Sequence, residues 1–289
     1  MRALPALLAL LVILFCTPAH AQKQADTLKR IADTGEIRIG FTPNGPPLSF
    51  LDEEDKARGY SIDLCRHIAT AAREAAGIEE IKILFVPLVS IEDRISAVEN
   101  GEIDIECGAT TVTLSRRERV DFTLMTFITG SAVLSLKSKP IDIVDDFENA
   151  KIAVMKGSTT EEVLRRVISI NEFDINLKLI TSHDEGMKLL NNKKVDGFAS
   201  DRAMLIGHIF RDADARNQYA MTRSALSYEP YAFMVPRGDS AFRLVADRAL
   251  AAQFRGAGIR RLYHEWFGRF GEPLSPIVAA MYEFQAVGE

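Results

Sequence analysis

The chain has 289 residues, 26% of them charged and 47% hydrophobic, with a formal charge of −5. No basic stripe or tract runs through it, which excludes nucleic acid as the expected partner. Three cysteines without a Cys-x-x-Cys spacing and five histidines give no support for a bound metal.

Arg2 precedes an apolar run from Leu4 to Phe15, and Ala19-His20-Ala21 supplies small residues for cleavage before Gln22, so residues 1–21 read as an export signal peptide. Phe15-Cys16 lacks the small residue of a lipoprotein site, which favours a free mature protein over an anchored one. No later stretch reaches the about 18 uninterrupted apolar residues of a membrane span. The mature chain keeps Cys65 and Cys107. In an oxidising compartment these are candidates for a disulfide, the alternative being two small buried thiols.

A strand over 36–40 leads into Thr42-Pro-Asn-Gly-Pro-Pro-Leu-Ser-Phe50, whose prolines and glycine predict an open loop at a strand end. A charged turn over 52–58 follows. Ile62, Cys65, Ile68 and Ala69 then recur at helical spacing within 59–76. A strand over 81–87, a helix over 90–100 closed by Gly101 and a buried strand over 103–107 complete an alternating pattern, which specifies a right-handed parallel sheet covered by helices. The bridge is expected because the helix would begin where the last strand ends, at one edge of the sheet, within reach of a Cys65–Cys107 bond.

After that strand comes Gly108-Ala-Thr-Thr-Val-Thr-Leu-Ser-Arg116, which gathers backbone N–H groups, hydroxyls and an arginine, a combination suited to gripping a carboxylate. Nothing in it pairs a nucleophile with a base. The apolar segment 122–136, interrupted by Gly130, is too long for one ordinary strand and reads as a crossing between two lobes. A second alternating set follows: strands over 151–155, 176–180 and 195–199, and helices over 161–168, 183–191 and from Asp201 to Phe210. Lys156-Gly-Ser-Thr-Thr160 repeats the glycine and hydroxyl turn at a helix start, again offering N–H groups to an anion. The segment 226–236 is the return crossing. Two helices, to about Phe254 and over 258–268, follow, the second carrying Tyr263, Trp266 and Phe267 at a spacing expected of core packing.

Gly108-Ala-Thr110-Thr111, Arg116 and Asp121-Phe122-Thr resemble the polar amino-acid-binding proteins that serve ABC importers, extracellular solute-binding proteins that include the glutamate/aspartate and glutamine binders. Gly258-Ile-Arg-Arg-Leu-Tyr-His-Glu-Trp-Phe-Gly268 resembles their closing helix, and the likeness spans about residues 30–270. It implies an α/β two-lobed type II periplasmic-binding fold: two parallel-rich sheets with flanking helices, joined by two crossing segments. Lobe one would comprise 22–127 plus 231–289, and lobe two 128–230. It further implies an exported periplasmic monomer without cofactor, which captures a free amino acid and passes it to membrane permease subunits.

By this resemblance Arg116 takes the ligand α-carboxylate with Thr111 and the backbone of Ala109, a task suited to guanidinium geometry. Ser158 and Thr159 contribute from the other lobe, and Asp201 takes the α-ammonium, its alternative being a plain helix N-cap. Arg94 falls at an arginine of the acidic-amino-acid binders, or is a solvated helix arginine. Thr42 and Phe50, at the ends of the first loop, are expected to line the pocket. The glutamate/aspartate binders carry an arginine where this chain has Thr42 and a histidine at the position of Glu185, and Gly45 replaces an aromatic of the glutamine binders. Without a replacement cation, acidic ligands are expected to be disfavoured. A cyclohexadienyl dehydratase, an enzyme on the same fold, is the rival reading, with Glu185 as its general acid.

Overall fold

The computed structural model describes residues 26–210, 215–271 and 273–288. The expected signal peptide, residues 1–21, and its expected cleavage after Ala21 lie outside these residues. In chain order the elements are α1 (Thr27–Thr34), β1 (Glu36–Phe41), β2 (Asn44–Gly45), β3 (Ser49–Leu51), β4 (Ala57–Arg58), α2 (Tyr60–Ala75), β5 (Lys82–Pro87), α3 (Ile91–Glu99), β6 (Ile105–Glu106), α4 (Leu114–Arg117) and β7 (Val120–Thr129). Next come β8 (Ser131–Leu136), β9 (Lys151–Met155), α5 (Thr159–Asn171), β10 (Asn176–Ile180), α6 (His183–Asn191), β11 (Gly197–Asp201), α7 (Arg202–Ile209), β12 (Tyr219–Met221) and β13 (Glu229–Pro236). Helices α8 (Ser240–Arg255), α9 (Gly258–Trp266) and α10 (Pro276–Gln285) close the chain.

Two five-stranded sheets carry the architecture, ordered β5-β1-β6-β13-β7 and β10-β9-β11-β8-β12. In the first, β1 runs parallel to β5 and β6; in the second, β9 runs parallel to β10 and β11. Each sheet is completed by antiparallel strands of or beside the crossings, β13 and β7 in one and β8 and β12 in the other. The sheets are therefore mixed, with a parallel part built from the two alternating sets. The segment read as one crossing strand is two, because Gly130 separates β7 from β8 and sends them to different sheets. A side chain there would place Cβ 2.6 Å from both the Ser227 carbonyl oxygen and the Ala225 Cβ, so the two crossings can run side by side only past a glycine.

The loop after β1 is less open than its prolines suggest. Asn44–Gly45 pairs with Ser49–Leu51, which pairs in turn with Ala57–Arg58, and the resulting small sheet turns Phe50 onto Trp266 at 5.8 Å between ring centroids. Ile62, Cys65, Ile68, Ala69 and Ala72 form the buried face of α2, and α3 starts on Ser90, which accepts from the Asp93 N–H, and stops at Gly101 with φ +69°. Tyr263, Trp266 and Phe267 are all buried, Phe267 stacking on Phe127 at 4.8 Å. Burial of each such ring contributes a few kcal/mol, about 2 to 3. Cys65, near the start of α2, is bonded to Cys107, one residue past β6, with the Cα atoms 6.3 Å apart. Among the described residues no helix is long and apolar enough to cross a membrane.

Candidate functional site

The C-terminal ends of the parallel strands in both sheets face one pocket, where open α/β sheets place ligands. From the first sheet come Thr42 after β1, Arg94 on α3, and Ala109, Thr110, Thr111 and Arg116 after β6; from the second come Met155, Ser158, Thr159, Thr160, His183, Ser200 and Asp201. Eight of the ten residues singled out for ligand contact are thus brought together. The other two are placed elsewhere.

Phe50 is the first exception, held on Trp266 by the small sheet. Glu185 is the second. Its carboxylate accepts from the Thr181 N–H at 3.0 Å and the Thr181 hydroxyl at 3.3 Å, while its own N–H donates to the Ser182 Oγ. It closes the N-terminus of α6 and takes no part in the pocket, as a first-turn acid commonly does. The pocket residue of that helix is His183, two positions earlier.

His183 donates or accepts through Nε2 to the Ser200 Oγ at 3.1 Å and stacks on His208 at 5.6 Å. Loss of solvation, and secondarily the neighbouring His208, pushes its imidazole down to about 3, so it is neutral at physiological pH. Its Nδ1 is buried without a hydrogen-bond partner among the described residues, as are the Nε of Arg94 and the Oγ1 of Thr42. Buried polar atoms are normally satisfied, so three orphans lining one pocket mark where a ligand's polar atoms would sit.

Arg94 is no solvated helix arginine. It is 6% exposed, and its Nη1 donates to Glu106 at 3.1 Å and to the Thr110 Oγ1 at 3.0 Å, while Thr110 donates to the other Glu106 oxygen at 2.9 Å. Gly108 makes room for this cluster, since a Cβ would sit 2.2 Å from the Glu106 Oε1 and 3.0 Å from Arg94. The expectation that acidic ligands are disfavoured rested on a missing cation and a missing histidine. The pocket holds both an arginine and a histidine, so that reasoning fails.

Arg116 is anchored by donation from Nη1 to the Thr111 carbonyl at 2.7 Å, and its Nη2 reaches the Gly157 carbonyl at 3.5 Å across the pocket. Ser158 caps α5 by accepting from the Glu161 N–H, and Thr159 donates to Glu229 at 2.7 Å. Asp201 sits at the N-cap position of α7 but makes no cap bond. The first N–H groups of α7 go instead to the Gly130 carbonyl at 2.8 Å and the Thr129 hydroxyl at 3.3 Å. The Asp201 carboxyl accepts from Tyr231 and from Thr160, and desolvation, followed by the charge of Glu229, pushes it up to about 7.

Two α/β units whose strand ends converge on one pocket, with an arginine on one side and an aspartate on the other, define a two-lobed solute-binding protein. The model for bacterial extracellular solute-binding proteins, family 3, matches residues 37–269, and the chain belongs to that family. It is 31% identical to the L-glutamate/L-aspartate-binding protein of Pseudomonas aeruginosa over 96% of this chain and 91% of that one. It is 26% identical to the glutamate/aspartate import solute-binding protein of Escherichia coli over 86% and 81%. A solved ancestral arginine-binding protein bound to glutamine superposes with a TM-score of 0.72 at 27% identity, covering 81% of this chain and 98% of that one.

Proposed function

We propose that this protein is the periplasmic substrate-binding component of an amino-acid ABC importer. It works as a monomer that captures a free polar amino acid between lobe one (22–127 plus 231–289) and lobe two (128–230) and delivers it to membrane permease subunits. The observation that carries the reading is that one pocket opposes Arg116 to Asp201, a cation for the α-carboxylate and an anion for the α-ammonium. The names of the relatives, which concern amino-acid binding and import, support the same function.

The side-chain end of the pocket supports ligands that finish in an oxygen acceptor, carboxylate or amide. Arg94 Nε and Thr42 Oγ1 can donate there, and His183 Nδ1 can donate in one tautomer. A lysine or arginine ligand would meet Arg94 and be repelled. The enzyme reading loses its acid, because Glu185 lies outside the pocket. Hinges near 127–130 and 227–231 would let the ligand, by touching both lobes, favour the closed form.

Calorimetric titration with glutamate, aspartate, glutamine, asparagine, arginine and lysine tests the ligand class, with recovered ligand analysed for turnover. Tight binding of an acceptor-ended amino acid, recovered unchanged, is expected. Binding of the basic amino acids alone, or conversion of prephenate or arogenate, would overturn the reading. Small-angle scattering with saturating ligand should show a smaller radius of gyration.

A further inference from the structure

Glu229 opens β13 and is 2% exposed, and no sequence motif drew attention to it. Residues two apart on a strand share a face. Glu229 and Tyr231 accordingly reach the same side of the return crossing, where Tyr231 donates to Asp201 and Glu229 accepts from Thr159 at 2.7 Å. Glu229 also accepts from Ser131 at 3.2 Å and from Ser227. Thr160 links the two acids, its hydroxyl lying 3.3 Å from the Ser131 Oγ and 3.4 Å from the Asp201 Oδ1, with one proton to donate to either. Among the described residues, every hydrogen bond to these two carboxyl groups comes from a hydroxyl.

Two acids joined through hydroxyls and lacking an ion pair cannot both ionise without cost, and a cation delivered to them relieves that cost. The charged and titratable groups that bear on the pair are Arg116 on α4 and Tyr231 on β13, with Glu162 on α5 acting through Arg116 and Arg94 on α3 through Tyr231. Arg116 is committed to the Thr111 and Gly157 carbonyls. It is also the group expected to hold the ligand carboxylate.

We propose that Glu229 is a positioning residue of the ammonium half-site: together with burial it makes Asp201 hold a proton until the ligand's α-ammonium arrives, so that binding releases that proton to solvent. Charge balances, since one ammonium enters the site as one proton leaves the Asp201 carboxyl. The elevated proton affinity of Asp201 agrees with this arrangement. The proposal rests on the reading that the pocket takes an amino acid.

The test is calorimetric titration at pH 7 in phosphate and in Tris, whose ionisation heats differ, with glutamate and glutamine as probes. The wild-type protein should release about half a proton per amino acid bound at pH 7, and release should vanish by pH 9, where Asp201 is ionised beforehand. Glu229→Gln should lower the release at pH 7, because Asp201 then keeps only the part of its proton affinity that burial provides. Amino-acid binding with equal heats in both buffers would overturn the proposal, as would release unchanged in the variant. Proton uptake would assign the linkage to His183 instead and equally overturn it. No binding of any amino acid would defeat the underlying reading, a distinct outcome. Should Glu229→Gln not fold, the wild-type buffer comparison and its pH dependence still decide.

Discussion

Arg94 and Glu106 face each other in the pocket wall, Nη1 to Oε1 at 3.1 Å, with 6% and 0% of their surfaces exposed. Such a pair contributes little net stability when intact, yet removal of one partner leaves an uncompensated buried charge. Glu106→Ala should therefore lower unfolding free energy by about 3 to 5 kcal/mol. Urea denaturation measures it, and a loss below the about 1 kcal/mol of an exposed pair would show that Arg94 finds solvent.

Arg94→Met keeps the stem and removes the donors. Binding of an acceptor-ended ligand should weaken about tenfold or more, the worth of a charged hydrogen bond of about 1.5 to 3 kcal/mol, measured by titration. Alanine, a ligand with no side-chain acceptor, should be unaffected by the change. An equal loss for both would place Arg94 outside the side-chain end of the pocket.

Arg116→Ala should reduce affinity for every amino acid about a hundredfold or more while leaving the melting temperature within a few degrees. The side chain is half-buried and donates to the Thr111 and Gly157 carbonyls, contacts whose loss costs little beside that of a charge-assisted ligand bond. Near-native affinity in the variant would remove Arg116 from the carboxylate half-site.

Folded Asp201 keeps its proton up to about pH 7, whereas the unfolded side chain loses it near 3.8. Between those values the folded chain binds more protons than the unfolded one, so this group's contribution falls as pH rises, by up to about 4 kcal/mol in all. Asp201→Asn removes that loss. The variant should melt higher than wild type at pH 8, converge with it near pH 4 and fail to bind amino acids, so that the site trades stability for function. Parallel melting curves across pH 4 to 8, with a constant difference, would refute the assignment.

The Cys65–Cys107 bond spans 42 positions, which in the chain-entropy description stabilises by about 4 kcal/mol. The double substitution to alanine should lower the denaturation free energy by roughly that amount, and thiol counting on unreduced, denatured mature protein should find none. Both cysteines are fully buried, so reductant should act only as the protein opens.

Most of the fold was legible in the sequence because it is written in local periods. Apolar spacing gave α2, and glycines and hydroxyls marked the turns after β6 and β9. The turn proposed to hold the carboxylate could be picked out for the same reason: Gly108, Thr111 and Arg116 lie within nine residues of one another, directly after a strand. What remained hidden depended on how elements seat against each other. Successive helix residues point about 100° apart, so whether His183 or Glu185 enters the pocket is set by the docking of α6 against the second sheet. Asp201 could be singled out, but not the reason its side chain is spared from capping, since the first N–H groups of α7 go to Thr129 and Gly130, more than seventy positions away. Glu229 carries no local signal at all: it becomes a partner of Asp201 only because two crossings run side by side past Gly130, where long-range packing, and no propensity of the chain, brings two acids to one group of hydroxyls.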